Sequence, residues 1–240
     1  MPSANASQRV APTTKPDAAL AVGGVELAAD PAGALHWPEQ GLLAVADLHL
    51  EKGSSFASRG VLLPPYDTAA TLARLAALIA RYAPRVVVAL GDSFHDGRGP
   101  ARLADTDRAT LLNLQRGRDW IWITGNHDPE PADGVGGRFL ATLNVSGLTF
   151  RHEPQDNGKA EIAGHLHPIA RVSRRGRAVS RRCFAGDGER LVMPAFGAYA
   201  GGLNVRHRAF AAVFRTLSFT AHMLGERRVY AVAAKHCLPD

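Results

Sequence analysis

Five short stretches of this 240-residue chain carry residue types that seldom serve packing. Asp47-Leu48-His49 sets a carboxylate and an imidazole two positions apart, so both point the same way while the chain stays extended. Gly91-Asp92-Ser93-Phe94-His95-Asp96 adds a second carboxylate. Gly125-Asn126-His127-Asp128 follows the apolar run Trp120-Ile121-Trp122-Ile123-Thr124. His152 lies just beyond Phe150, and Gly164-His165-Leu166-His167 repeats the two-residue spacing. Each stretch has a bland reading. Gly-Asn and Asp-Pro are turn formers, and Asp47 with His49 could be a surface hydrogen bond. His152 alone could be a surface histidine. Taken together they point to metal, because two carboxylates side by side repel unless a cation lies between them.

Asp47, His49, Asp92, Asn126, His152, His165 and His167 make a set of N and O donors without a thiolate. Such a set suits two divalent ions, Mn²⁺, Fe²⁺ or Zn²⁺, rather than a structural zinc. Asp92 is the best shared ligand, since it lies between the others along one sheet edge. Two metals roughly 3.5–4 Å apart can hold a bridging hydroxide and clamp phosphoryl oxygens for in-line attack. His127 is left over. It would point away from the metals, and an imidazole with a pKa of about 6.5 can give a proton to a departing alkoxide. Asp128 would orient it or cap the loop.

These residues need elements that deliver them to one place. Gly41 to Ala46, Arg85 to Leu90 and Trp120 to Thr124 are uninterrupted apolar runs and read as buried strands. Val25 to Leu27 and Ala34 to Trp37 read as short strands around the Asp30-Pro31-Ala32-Gly33 turn. Leu72, Leu75, Leu78, Ile79 and Tyr82 follow helical spacing after Pro64-Pro65, and Pro84 stops that helix. A second helical stretch runs from Leu103 to about Gly117. The β–α–β order predicts parallel strands in the first half. Glu51 to Gly60 reads as a loop by the site. Its Lys52 and Arg59 could contact a phosphate or be merely solvated, and with His95 and Tyr199 they are the candidate substrate-binding residues.

The second half reads as strands with tight turns: Phe139–Leu143, Gly147–Phe150, Ala160–Ala163, Ile169–Ser173, Val179–Phe184 and Arg190–Met193, closed by Ala209–Phe214 and Val229–Ala233. Pro194 to Val205 reads as a loop near the site. Arg171, Arg174, Arg175, Arg177, Arg181 and Arg182 could line a phosphodiester track. The favoured reading is a charged edge hairpin that resists aggregation. His36, His207, His222 and His236 have no partner pattern.

Composition narrows the setting. A hydrophobic content of 46% supports a sizeable core. Lys+Arg 28 against Asp+Glu 22 gives +6, a modest excess that favours polyanionic partners. Cys183 and Cys237 form no CxxC or disulfide framework, which implies a reducing, cytoplasmic setting. No run reaches the roughly 20 apolar residues of a membrane span. Residues 1–20 read as a disordered leader and 21–240 as one domain.

The ordered set Asp-x-His, Gly-Asp-x-x-His, Gly-Asn-His-Asp, His and Gly-His-x-His resembles the calcineurin-like metallophosphoesterase superfamily. The resemblance implies a four-layer α/β/β/α sandwich with two mixed β-sheets. It implies that Asp47, His49, Asp92 and His167 hold one metal, and that Asp92, Asn126, His152 and His165 hold the other. His127 matches the family's proton donor to the leaving group. Asp47 through Ser55, Leu63 through Thr68, and Pro194 through Tyr199 with Asn204 resemble the bacterial ligase-associated DNA damage response endonucleases, the PdeM type. This closer resemblance implies an Mn²⁺-dependent DNA nuclease, encoded beside a helicase and an ATP-dependent DNA ligase. The expected activity is thus cleavage of DNA, single-stranded in preference, in repair. A phosphodiesterase for small esters such as cyclic nucleotides and a non-enzymatic docking module are the alternatives.

Overall fold

The computed structural model describes residues 18–215 and 217–240. Most of the expected leader 1–20 lies outside the described residues. Its last part does not behave as a leader: Ala18 packs on the core and Ala19 opens the first strand.

Seven strands lie side by side in chain order in the first sheet. They are β1 (Ala19–Val22), β2 (Val25–Ala29), β3 (Leu35–Trp37), β4 (Leu42–Ala46), β5 (Val86–Leu90), β6 (Asp119–Ile123) and β7 (Arg138–Leu140). β1 to β4 pair antiparallel, and β4 to β7 pair parallel, as the β–α–β order requires. Between them come α1 (Lys52–Ala57), α2 (Asp67–Tyr82), α3 (Gly99–Arg102) and α4 (Asp105–Gln115).

The second sheet holds β8 (Thr142–Val145), β9 (Leu148–Arg151), β10 (Glu161–Ala163), β11 (Pro168–Arg174), β12 (Arg177–Gly186), β13 (Arg190–Val192), β14 (Leu203–Asn204), β15 (Thr220–Leu224) and β16 (Val229–Ala233). One short helix, α5 (Arg208–Phe214), lies against it.

The unbroken apolar runs are explained by what covers each face. In β4, Leu42, Ala44 and Ala46 point into the core between the sheets, with Leu90, Ile123, Phe150 and Met193. Leu43 and Val45 point the other way, onto Leu72, Leu75, Ile79 and Leu111 of α2 and α4. β5 and β6 divide their residues alike. A third cluster joins Cys183, Ala185 and Met223 of the second sheet to Phe210 and Phe214 of α5. The order is therefore helices, sheet, sheet, helix, and both sheets are mixed. Among the described residues, no helix is long and apolar enough to cross a membrane.

Three local expectations fail for identifiable reasons. Glu51 to Gly60 is not a plain loop, since α1 forms there behind Glu51, whose φ is 62°. Ala209–Phe214 is not a strand. The His207 ring accepts from the Ala209 amide at the helix start, and Phe210, Val213 and Phe214 fall on one helical face. Phe139–Leu143 is not one strand but breaks at Ala141, so that β7 ends the first sheet and β8 begins at the edge of the second. β15 lies in a stretch where no element is expected from the sequence, and its burial alternates as a half-covered strand should.

The register fixes where the chemistry goes. Ala46, Leu90 and Ile123 are level across β4, β5 and β6. Arg151, Ala163 and Val192 are level across β9, β10 and β13. The loops leaving these strands begin at Asp47, Gly91, Thr124, His152 and Gly164, all at carboxyl ends.

Candidate active site

The loops that leave these strands are strained where the polar residues sit. Asp47, His49, Asp92, His165 and His167 have φ of 52°, 43°, 45°, 68° and 45°. That left-handed region costs a non-glycine residue about 1–2 kcal/mol each. Backbone hydrogen bonds hold it. The amides of His49 and Leu50 donate to the carbonyls of Asp92 and Ser93, and Gly197 donates to Asp47. Close packing leaves no room for relaxation: a Cβ on Gly125 would stand 2.3 Å from the Asp92 amide, and one on Gly164 would stand 2.6 Å from Asp47 Oδ2. Other non-glycine residues, among them Ala83, Ser146 and Arg215, share this conformation, but the five here fall together on candidate ligands, which fits a geometry held for function.

Their side chains converge in two groups, Asp47 with His49 and His167, and Asp92 with His152 and His165; in each, the donor atoms lie within 4.8 Å of one another. His167 Nε2 is 3.2 Å from Asp47 Oδ1 and 3.3 Å from His49 Nε2. His49 Nε2 is 3.9 Å from Asp92 Oδ2, so Asp92 links the groups. In the second group, His152 Nδ1 lies 3.1 Å from the Leu90 carbonyl. A carbonyl only accepts, so Nδ1 carries the proton and Nε2 presents a lone pair. That lone pair faces Asn126 Oδ1 at 2.9 Å, His165 Nδ1 at 3.1 Å and Asp92 Oδ1 at 3.4 Å.

Asp47, Asp92, His49 and His152 are buried. Burial, reinforced by His167, lowers the His49 pKa to about 2. Burial and then His152 lower His165. His49 and His165 are therefore neutral near pH 7, and among the described residues His49 Nδ1 is buried without a partner. Acceptors crowded onto acceptors are costly unless a cation sits among them. Donors of this kind fit divalent metal ions, and all seven candidate ligands come together here.

His127 sits at the mouth. Its Nδ1 is 2.8 Å from the His95 carbonyl, which fixes the proton there, and its amide donates to Asp92 Oδ1 at 2.9 Å. Nε2 faces inward, 3.9 Å from Asp92 Oδ2, rather than away from the cluster as the loop order suggests. The rings of His49, His95 and His127 stand 5.2–5.6 Å apart. Asp128 does not hydrogen-bond the His127 ring, whose Nδ1 is held by His95. Its carboxylate accepts from the amides of Ser93, Phe94 and Gly125, tying the second and third loops together. Burial pushes its pKa up to about 6 against those donors.

The candidate substrate contacts divide. His95 is at the mouth, its ring tilted between those of Phe56 and His127. Lys52 Nζ donates to the Tyr199 carbonyl and the Tyr199 hydroxyl to that of Pro64, so both fasten loops to one another. Arg59 bonds Ser55 Oγ and lies over Phe56. Two residues carry more than their sequence context signals. Arg182 spans the carbonyls of Ala195 and Ala200 at 2.9 and 2.7 Å. Buried Glu51 accepts from Thr68 and Ser54, joining α1 to α2. A cleft of about 380 Å³ opens beside Asn126 and His152, walled by Thr142, Arg151 and Gln155.

The profile of calcineurin-like phosphoesterases matches residues 42–178. Among solved structures, the crystal structure of Pseudomonas putida nuclease MPE is similar at a TM-score of 0.69 and 26% identity, covering 90% of this chain and 99% of that one. YfcE, a phosphoesterase from E. coli, is similar at a TM-score of 0.40 and 15% identity, over 80% of this chain and 98% of that one. No curated protein sequence matches this chain.

Proposed function

From the fact that this chain belongs to the calcineurin-like phosphoesterase family, we propose that it is a two-metal phosphodiesterase that cuts single-stranded DNA internally. The observation that carries the reading is the pair of donor groups linked through Asp92, at the carboxyl edge of both sheets. The likeness to a nuclease over nine-tenths of the chain supports the choice of substrate. Asp47, His49, Asp92 and His167 hold one ion; Asp92, Asn126, His152 and His165 hold the other. Mn²⁺ is the proposed metal, although N/O donors admit Fe²⁺ and Zn²⁺ too. When bound, the ions supply Lewis acidity toward phosphoryl oxygens and a lowered pKa for water.

The rest falls to the chain. The Asp92 carboxylate aligns the His127 loop through the amide of that residue. The His95 carbonyl holds the Nδ1 proton, so Nε2 is the atom that carries or releases a proton at the mouth. As imidazolium, His127 gives that proton to the leaving oxygen. His95 lines the approach, while Asp128, Lys52 and Tyr199 hold the loops. The setting we propose is cytoplasmic DNA repair beside a helicase and an ATP-dependent ligase, on the resemblance of the Asp47–Ser55 and Pro194–Tyr199 segments.

The test is cleavage of circular single-stranded DNA, run beside bis-p-nitrophenyl phosphate. A circle has no ends, so only an internal cut opens it. We expect Mn²⁺-dependent nicking, with His127→Ala keeping its metal and losing turnover by at least about a hundredfold. Wild-type cleavage by His127→Ala removes its assigned role. Turnover of the small ester beside intact circles moves the reading to small phosphodiesters, and neither activity in metal-loaded protein moves it to a docking module.

A further inference from the structure

The arginine-rich hairpin does not lie along the sheet. Ala163, Val192 and Ala185 are level across β10, β13 and β12, at the edge where the ligand loops begin. From Ala185 back to Arg177, β12 continues for eight residues in the direction in which β10 and β13 end. Beyond Cys183 its only strand partner among the described residues is β11, which starts at Pro168, next to His167. At about 3.3 Å per residue, the ribbon tip therefore stands roughly 26 Å beyond the edge that carries the site.

This ribbon has one sign of charge. No Asp or Glu occurs between Ile162 and Gly186. Arg174, Arg175, Arg177 and Arg181 are exposed. Arg174 and Arg177 are cross-strand partners, a destabilising placement for like charges unless an anion joins them. Some arginines elsewhere find carboxylates, Arg81 with Asp30, Arg102 with Asp96 and Arg151 with Glu161, and others such as Arg108 and Arg118 are held by backbone carbonyls. Among the described residues, the four exposed ribbon arginines have no carboxylate pairing. Guarding an open edge needs only a charge or two. Val179, half-buried, lies between the arginines and offers apolar surface, while its cross-strand partner Val172 packs on the third core cluster and roots the ribbon there.

We propose that the β11–β12 ribbon is a binding arm for the single strand of DNA flanking the cut, its arginines neutralising successive phosphates. The proposal rests on the nuclease reading. Two measurements on the full-length, Mn²⁺-loaded protein test it. The variant R174Q/R175Q/R177Q/R181Q is compared with wild type and with the four-lysine variant at the same positions. Turnover of bis-p-nitrophenyl phosphate should stay within about twofold in all three. Affinity for a labelled oligothymidylate, read in the His127→Ala background, should fall at least about tenfold in the glutamine variant near 0.1 M salt. Its slope of log affinity against log salt should flatten by about 3, at roughly 0.7 per lost contact, while the lysine variant keeps the wild-type slope. A glutamine variant that turns over the small ester normally and binds the strand with the wild-type affinity and slope overturns the arm alone. Wild type that turns over the ester and leaves DNA intact overturns the nuclease reading beneath it.

Discussion

A buried imidazole is a statement about pH as well as geometry. The His49 pKa is lowered from 6.5 to about 2, first by burial and then by His167, and those of His95 and His165 are lowered as well. Above pH 6.5 both the folded and the unfolded chain hold His49 neutral, and its contribution is intact. Below it the unfolded chain takes up a proton that the folded chain refuses, so stability falls as pH falls, by up to about 1.4 kcal/mol per pH unit for His49 alone. Asp128 works in the opposite sense. Its folded pKa, raised from 3.8 to about 6, makes acidification favour the folded state between those values. Above pH 6 the histidines act alone, and below it Asp128 offsets part of the loss. Between pH 7 and pH 5 His49 loses about 2 kcal/mol and Asp128 regains about 1.3, so the pair alone lowers the melting temperature of metal-free protein by about 1–2 °C, and His95 and His165 act in the same direction as His49. The cleaner measurement is Asp128→Asn, which removes the offset and should melt about 4–8 °C lower at pH 5 than at pH 7; a flat or rising melting temperature in that variant would show that His49 is not held neutral in the folded chain.

The site is held by loops on strand ends, and the loops are held by one another. Pro194 to Ala200 illustrates this. Phe196 and Gly197 donate to the carbonyls of Ala46 and Asp47, so the segment braces the strained turn that carries the first carboxylate. Arg182 anchors the brace through two carbonyls with one planar fork. Lysine is a single point donor and cannot span both. Arg182→Lys should cost about 1–3 kcal/mol of stability and lower metal affinity roughly tenfold, with the loss of turnover made up by added Mn²⁺. Full metal affinity in a stable Arg182→Lys would show that the brace does not act on Asp47. The central strands, both parallel crossovers and every candidate ligand are legible in the sequence, because both-face burial writes β4, β5 and β6 as apolar runs and a ligand is useful only at their ends. Other parts are not. Gly53, Ser54 and Ser55 are poor helix formers, so α1 depends on Glu51, Thr68 and Asp67, which lie far apart in sequence. Ala209 to Phe214 is a short apolar run that reads equally as a buried strand, and only its packing on Phe219 and Val205 reveals the helical face. Arg182 sits in a run of arginines, and nothing local separates the one that turns inward from those that face water.

At the scale of the molecule, the site is where the two sheets meet, and neither sheet contains it alone. The first sheet delivers Asp47, His49, Asp92 and Asn126, and the second delivers His152, His165 and His167. Within each donor group a carboxylate of the first sheet meets a histidine of the second, Asp47 with His167 and Asp92 with His152. A cation bound there joins the layers, and it binds the unfolded chain far less well because the ligands are scattered from residue 47 to residue 167. Its binding free energy then adds to that of folding. Free Mn²⁺ at a hundred times its dissociation constant should contribute about 2.7 kcal/mol. In a chain of this length that raises the melting temperature by roughly 5–11 °C, and a chelator should reverse it. The pair of ions should matter more than either alone, since Asp92 serves both. Asp92→Asn should therefore abolish nearly the whole shift, whereas Asn126→Ala should leave part of it. A chelator that stops turnover without moving the melting temperature would mean that the two sheets meet stably without metal, and that the ions act on substrate and not on the fold.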